Sequence, residues 1–314
     1  MSFTRLSLIF AVVLLFGVLT TSFLALAETR KRIAKLEAER SLTQTRHGQI
    51  EYVDWGEGDP VLVIHGAGGG FDQGRLLARA IGGDGFRWIS VSRFGYLGSA
   101  MPNTPSTVAQ AETLVDLLDA LGVERVNILA MSGGVPPSLK FAEMFPERVD
   151  RMMLLSSAPF TPFTPVVEDR PIPTWAYSAL LGNDVFYWVL TKVARGQLEE
   201  AFDARADLRE GLSDEEELFV RDLIDTFLPA SRRVAGVNNE GAAVAPAAHY
   251  DLESIRAEVL VVHARDDRLN PFAVGETIAA RIPRSRLLVL DRGGHLLLGY
   301  HAELSREFQV LLAE

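Results

Sequence analysis

A long apolar run opens the chain. Apart from Ser7, the stretch from Leu6 to Leu19 contains only hydrophobic residues and glycine, and no charge follows before Glu28. About 20 consecutive apolar residues are enough for a helix to cross a bilayer. The pattern therefore predicts an N-terminal apolar helix within residues 1–27, which is either a transmembrane anchor or a signal peptide.

The charges that flank this run favour the anchor. Arg5 precedes it, whereas Arg30, Lys31, Arg32 and Lys35 follow it closely. Basic residues directly after an apolar span resist translocation. We therefore expect a membrane-associated protein held by a single N-terminal span.

The same residues also fit a cleaved signal peptide. Arg5 suits the positive n-region, and Ala25-Leu26-Ala27 suits a small-residue cleavage site. Cleavage near Ala27 would leave the mature protein periplasmic or secreted. A mature chain that begins at Glu28 would contradict the anchor.

Charged residues that favour helices fill the next segment, from Glu28 to Arg40. We interpret residues 28–45 as a charged helical stalk. Beyond the stalk, a chain that begins near Ser41 is expected to be soluble and active.

From Gln49 onward, short apolar runs alternate with helical patterns. Each apolar run is four to seven residues long and is bounded by turn residues, as strands are. The predicted strands are IEYVDWG, VLVIHG, FRWISVS, Val126–Ala130, Val149–Leu155, Glu258–His263 and Arg286–Leu290. The predicted helices include Thr107–Leu121, Ser138–Phe145 and Ala302–Leu312. This alternation predicts an α/β fold with a mostly parallel sheet covered by helices on both faces.

The pattern changes at Pro159. Prolines cluster as far as Pro173, Trp175 and Tyr177 follow, and no strand alternation occurs before about Tyr250. We predict a helical cap over 159–250, inserted between two parts of one core, 46–158 and 251–314.

Composition excludes several classes of function. Hydrophobic residues make up 48% and charged residues 23%, as in ordinary folded proteins. The formal net charge of −10 opposes binding to a phosphate backbone, so no nucleic-acid partner is expected. There are no cysteines, and neither metal-ligand spacing nor a nucleotide-binding motif is found. We therefore expect no cofactor and no metal.

One serine stands where a strand meets a helix. Ser132 follows the strand that ends at Ala130 and Met131, and two glycines, Gly133 and Gly134, come after it. A sharp strand-to-helix turn tolerates only small neighbours, because the two backbones approach closely, and it projects the serine hydroxyl.

This turn resembles the G-x-S-x-G nucleophile elbow of the α/β-hydrolase family, with Ala130 in place of the first glycine. Other motifs follow the family's chain order of serine, acid and histidine. VVHARDDRLNP resembles the acid turn, and DRGGHLLL resembles the histidine turn. The resemblance covers nearly the whole chain from Gln49. It implies a triad of Ser132, Asp267 and His295, with Asp266 as a neighbour of the acid.

VLVIHGAGGG resembles the oxyanion loop of the family. The resemblance implies that the amides of Ala67 and Gly133 bind the oxygen that becomes negative during acyl transfer. Gly68 is a weaker second candidate. Serine at the elbow separates this chain from the dehalogenases and epoxide hydrolases of the family, which have aspartate there.

The implied activity is that of a cofactor-independent serine hydrolase. We expect a carboxylesterase-like enzyme that cleaves an ester or related acyl bond of a small, largely apolar substrate through an acyl-enzyme. Carbon–carbon bond hydrolases, thioesterases, amidases and haloperoxidase-like proteins share the triad and remain alternatives. So does a ligand-binding protein of this fold without turnover. The sequence makes no prediction about oligomeric state.

Overall fold

The computed structural model describes residues 3–163, 182–245 and 247–313. Eight strands in this part of the chain form one sheet: β1 (Ser41–Thr45), β2 (Gly48–Trp55), β3 (Asp59–Ile64), β4 (Phe86–Ser92), β5 (Val126–Met131), β6 (Val149–Leu155), β7 (Glu258–Ala264) and β8 (Ser285–Leu290). Their order is β1-β2-β4-β3-β5-β6-β7-β8. β2 runs antiparallel to β1 and β4, and the remaining neighbours are parallel. The predicted mostly parallel sheet is confirmed.

The helices surround this sheet. In chain order they are α1 (Phe3–Glu39), α2 (Phe71–Leu77), α3 (Thr107–Ala120), α4 (Val135–Met144), α5 (Asp184–Val193), α6 (Arg195–Ala201), α7 (Ala206–Arg209), α8 (Asp214–Thr226), α9 (Val234–Asn238), α10 (Phe272–Arg281) and α11 (His301–Ala313). Apolar residues of α3, α4 and α10 pack on one face of the sheet. Residues of α2 and α11 pack on the other face. Both faces are therefore covered, as the near-continuous apolar strands require.

The cap lies between β6 and β7. Residues of α5 to α8 form an apolar cluster of their own, which includes Tyr187, Leu223 and Phe227 and contacts Leu76 and Leu296 of the core. Ser213 starts α8 by accepting a hydrogen bond from Glu216 N (3.2 Å), and acidic residues fill the first turn, where the helix dipole favours them. Part of the expected cap range lies outside the described residues. This part is Pro246 and residues 164–181, which include the predicted proline and aromatic cluster from Pro165 to Tyr177.

Residues 41–45, which we expected to belong to the stalk, form β1 instead. The helix ends at Glu39, and Ser41 pairs with Tyr52 of β2 in an antiparallel register. The SLTQT segment alternates over only five residues, at the edge of the sheet. The preceding charged helix obscured this short alternation in the sequence.

α1 is one continuous helix that combines the apolar segment and the stalk. Its apolar part is long and hydrophobic enough to cross a membrane. Only 6% of its most apolar 18-residue stretch is buried within the protein. Signal sequences near an N-terminus have the same properties.

The stalk part of α1 is docked on the folded domain and does not project from it. Thr29 of the stalk is buried, and so is Ala25 one turn earlier in the helix. Trp188 Nε1 donates to Glu28 (2.6 Å), and Arg32 donates to the carbonyl of Asp225 (2.6 Å). Further contacts along the helix join Glu37 to Arg232 (2.8 Å), Glu39 to Arg75 (2.7 Å) and Arg40 to Glu51 (3.2 Å). The stalk thus contacts the cap and the core together.

Candidate active site

Ser132 lies at the carboxyl end of β5, on the turn predicted for it. Its φ of +52° falls in the left-handed region, which is unusual for a residue with a side chain. A short 3₁₀ turn, Ser132–Gly134, leads directly into α4. A β-carbon at Gly134 would lie 2.3 Å from the carbonyl oxygen of Ile64, so this position requires glycine. The close approach of β3 to the turn explains the small residues around the serine.

Asp267 lies on the turn after β7 and is fully buried. Its Oδ1 accepts hydrogen bonds from the amides of Leu269 (2.8 Å) and Asn270 (2.9 Å), and its Oδ2 lies 3.0 Å from Nδ1 of His295. Burial alone would raise the pKa of Asp267. The charge and hydrogen bonds of His295 and His263 outweigh burial and hold that pKa well below its usual value. The carboxyl group is therefore ionised and can orient the imidazole.

Asp266 faces away from the imidazole ring. Its Oδ1 accepts from the amide of Gly294 (2.9 Å), and its Oδ2 forms an ion pair with Arg205 of the cap. The geometry therefore gives the two adjacent aspartates different tasks. Asp267 contacts the imidazole of His295, and Asp266 contacts the backbone of the loop that carries it.

His295 lies on the loop after β8 and lines the same pocket as Ser132. The loop is held from two sides. The amide of His295 donates to Asp203 Oδ2 (2.8 Å), and its carbonyl accepts from the hydroxyl of Ser156 (2.8 Å). Because Nδ1 contacts Asp267, Nε2 is the ring nitrogen that can exchange a proton on the substrate side.

The glycine-rich loop after β3 lies beside Ser132. The Nε2 of His65 accepts from the amide of Arg93 (3.0 Å), so its Nδ1 carries the proton and donates to the carbonyl of Gly66 (2.6 Å). Burial lowers the pKa of His65 well below its usual value, and the charge of Arg93 adds to this. A neutral His65 therefore holds the loop.

The three predicted oxyanion-hole residues differ in their surroundings. Ala67 is exposed at the pocket, and a β-carbon at Gly133 would lie 3.2 Å from the Ala67 amide nitrogen. The amide of Gly68, in contrast, already donates to the hydroxyl of Tyr96 (3.2 Å). Gly68 also has a φ of +76°, and a β-carbon there would overlap the ring of Phe227 at 2.0 Å. This geometry favours Ala67 and Gly133 over Gly68.

Sequence reasoning missed Asn270. Its Nδ2 donates to Ser132 Oγ (3.3 Å) and to the carbonyl of Ser156 (2.8 Å), and its side chain is buried. Asn270 stands directly before Pro271, three positions after Asp267. The sequence signal that could have identified Asn270 is a polar side chain at this position of the acid turn.

His263 is a second histidine beside Asp267. We expected it only to end its strand, but its Nε2 lies 3.3 Å from Asp267 Oδ2 and 3.2 Å from the carbonyl of Asn270. In the cap, Asp203 and Glu240 also reach the site. No local pattern in the sequence marks these two residues, because only the folded cap brings them to the catalytic loops.

The pocket above Ser132 has a volume of about 450 Å³. Its walls are mostly apolar and come from both core and cap: Met131, Pro136, Pro159, Phe202, Leu223, Phe227, Val237, Val244, Leu269 and Leu296. Among the lining residues that the structure describes, His295 and Glu240 are the only ionisable ones. Within the described ranges, no three His, Asp or Glu side chains are grouped as metal ligands. The arrangement suits acyl transfer to a serine from a small, uncharged molecule.

Residues 59–302 match the family model of the alpha/beta hydrolase fold. The chain therefore belongs to the alpha/beta hydrolase fold family, and it is a hydrolase of that fold. The predicted family and fold class are confirmed.

Several known proteins are similar to this chain. The 2-hydroxymuconate semialdehyde hydrolase of Pseudomonas putida is 30% identical over 271 residues, covering 83% of this chain and 89% of that protein. An alpha/beta hydrolase fold protein from Nakamurella multipartita has a TM-score of 0.76 at 27% identity, covering 87% of this chain and 99% of that chain. A bacterial membrane phospholipase A has a TM-score of 0.61 at 20% identity, covering 100% of this chain and 98% of that chain, and it shows the fold alone.

Proposed function

We propose that this protein is a serine hydrolase that cleaves an ester or related acyl bond of a small, uncharged and largely apolar substrate. The observation that carries the proposal is the contact of Asp267 with His295 (3.0 Å) beside Ser132, within a mostly apolar pocket. An ionised, buried carboxylate on Nδ1 selects the imidazole tautomer that a general base needs.

The proposed reaction has two halves. His295 takes the proton of Ser132 as Oγ attacks the acyl carbon, and the amides of Ala67 and Gly133 stabilise the negative oxygen of the tetrahedral intermediate. Collapse of the intermediate expels the alcohol, which receives the proton from His295. Water, deprotonated by the same imidazole, then hydrolyses the acyl-enzyme and restores the serine hydroxyl.

Hydrolysis of a carbon–carbon bond is the second candidate. It is supported by the Pseudomonas putida relative, which is named as a hydrolase of 2-hydroxymuconate semialdehyde. The same triad can serve either reaction, because both place a carbonyl carbon beside the serine. The pocket lining supports the ester, since a muconate carries a carboxylate and the described lining residues include no lysine or arginine.

Two measurements test the proposal. A fluorophosphonate probe is expected to label the wild type and not the Ser132→Ala variant. Turnover of p-nitrophenyl butyrate and of 2-hydroxymuconate semialdehyde is then compared on the same preparation, and we expect the ester to be the better substrate. Equal labelling of wild type and variant would refute the serine mechanism. A clear preference for the semialdehyde would favour the carbon–carbon hydrolase.

We also propose that α1 anchors the enzyme to a membrane. Its exposed apolar segment and the basic residues that follow support this interpretation. Cleavage near Ala27, with a periplasmic or secreted product, is the alternative.

A further inference from the structure

An acidic side chain of the cap lies beside the oxyanion loop. Glu240 begins the 3₁₀ turn Glu240–Val244 and contacts Arg93 through both carboxylate oxygens, at 2.5 Å (Oε1 to Nη2) and 3.2 Å (Oε2 to Nη1). The hydroxyl of Tyr96 also donates to Oε1. Such paired contacts between a guanidinium and a carboxylate fix orientation as well as charge.

Arg93 connects this carboxylate to the core. Its side chain is only 6% exposed, and its Nε donates to the carbonyl of His65 (3.0 Å) at the start of the oxyanion loop. Tyr96 makes a second connection, because its oxygen accepts the amide of Gly68 while its proton goes to Glu240. Burial and the charge of Glu240 raise the pKa of Tyr96 well above its usual value, so the hydroxyl keeps its proton.

The carboxylate of Glu240 also lies beside the candidate oxyanion amides. A β-carbon built on Gly133 would be 2.6 Å from Glu240 Oε2 and 3.2 Å from the Ala67 amide nitrogen. Glu240 lines the substrate pocket, where it is the only acidic residue among those described. Its negative charge is therefore close to the place where the acyl group must bind.

We propose that Glu240 sets the substrate class of this enzyme, by admitting neutral acyl groups and excluding acyl groups that carry a carboxylate. The inference rests on the proposed function and names the substrates of that site. Glu240 acts in two ways. It repels a second anion, and it occupies Arg93, the cation that could otherwise bind a substrate carboxylate.

The surroundings strengthen this effect. Charges interact more strongly in a partly buried pocket than in water. Glu240→Gln removes the negative charge while keeping the size of the side chain and one acceptor for Arg93. The variant would therefore present an unneutralised guanidinium beside the oxyanion loop, which favours an anionic acyl group.

The experiment compares two esters with the same four-carbon acyl chain, p-nitrophenyl butyrate and p-nitrophenyl hemisuccinate. We expect the wild type to prefer the butyrate. In Glu240→Gln, the ratio of kcat/KM values should shift toward the hemisuccinate by about tenfold or more, mainly through KM. Glu215→Gln removes the same charge from the exposed side of the cap and should change the ratio less than about twofold. Glu240→Asp keeps the charge and should keep the preference for the butyrate.

Binding to Ser132→Ala separates this proposal from the proposed function. Phenylacetate and phenylacetamide are titrated into that variant with and without Glu240→Gln. We expect Glu240→Gln to tighten the binding of phenylacetate by about tenfold and to leave the affinity for phenylacetamide nearly unchanged. Absence of ester turnover in the wild type would contradict the ester proposal alone, because these titrations need no turnover. A wild type that prefers the hemisuccinate, or an unchanged binding ratio after Glu240→Gln, would overturn the role of Glu240.

Discussion

The adjacent residues Asp266 and Asp267 contact different groups. Asp267 contacts the ring of His295, whereas Asp266 contacts the amide of Gly294 and the guanidinium of Arg205. Asp267→Asn would present an amide where the imidazole needs an acceptor, and it would favour the wrong tautomer. We expect kcat to fall by about 10⁴-fold, as is typical for this substitution in a triad.

Asp266→Asn serves as the matched control, because it makes the same chemical change one position away. Asn can still accept the Gly294 amide, so the expected loss in kcat is no more than about tenfold. Steady-state kinetics on one ester measure both variants. The reverse ranking would move the catalytic acid to Asp266.

Asn270 gives a second prediction at the scale of a residue. Asn270→Leu keeps the approximate volume but removes the donor to Ser132 Oγ and leaves the carbonyl of Ser156 without that partner. We expect kcat and the rate of fluorophosphonate labelling to fall together by about tenfold, with KM nearly unchanged, because the loss concerns the orientation of the nucleophile. A variant that is labelled at the wild-type rate would show that Asn270 does not position Ser132.

At the scale of elements, the cap and the catalytic loops form one hydrogen-bonded unit. Asp203 lies just before α7 and is fully buried. Its Oδ2 accepts the amides of Arg268 (3.1 Å) and His295 (2.8 Å), and its Oδ1 accepts Arg205 (2.9 Å). A residue of the cap therefore holds the loop of Asp267 and the loop of His295 in register.

Asp203→Asn tests this connection. The amide group of asparagine cannot accept on both sides, so one buried donor loses its partner, at a cost of about 1–3 kcal/mol in the free energy of unfolding. Displacement of His295 should also lower kcat by about 10- to 100-fold. Thermal unfolding and ester kinetics measure the two effects. Asp214→Asn, on the exposed start of α8, is the control. It should leave kcat unchanged and cost no more than about 0.5 kcal/mol in the free energy of unfolding, because it loses only an exposed interaction with the helix dipole.

The elements also show what the sequence could and could not predict. β4 and β6 have the predicted bounds, since their buried runs are flanked by turn residues. Ser132, Asp267 and His295 could be proposed from the sequence because each lies within five residues of the carboxyl end of a predicted strand. Asp203 and Glu240 could not, because the cap has no repeating pattern that indicates which side chains turn toward the core. Docking of α1 was also unpredictable, since a row of alternating charges equally fits a solvated helix.

At the scale of the whole molecule, α1 connects a candidate membrane span to the catalytic domain without a break. Its stalk contacts the cap through Trp188, Asp225 and Arg232, and the core through Arg75 and Glu51. Asp225 and Arg232 flank Phe227, which lines the pocket. The stalk therefore contacts the cap close in sequence to a pocket-lining residue, and it joins the domain to the apolar segment.

This continuity changes what is expected of shortened chains. A chain that begins at Ala25 keeps the docked stalk, whereas a chain that begins at Ser41 exposes the cap and core surfaces beneath it. We expect both to be soluble and active, because the triad lies wholly in the remaining domain. The chain from Ser41 should have a melting temperature several degrees lower, since it loses the buried Ala25 and Thr29 together with the charged contacts. Equal melting temperatures would show that the docked stalk contributes nothing to stability.

The full-length protein provides the last test, which concerns the membrane itself. An anchored chain should sediment with membranes and resist extraction by high salt and by carbonate, because about 20 apolar residues hold it in the bilayer. The chain that begins at Ala25 should remain in the supernatant while it keeps its ester turnover. N-terminal sequencing of the native protein decides between the two interpretations of the apolar segment. An intact N-terminus supports the anchor, whereas a mature chain that begins at Glu28 means cleavage after Ala27. In that case the docked stalk would become the N-terminus of a protein released from the membrane.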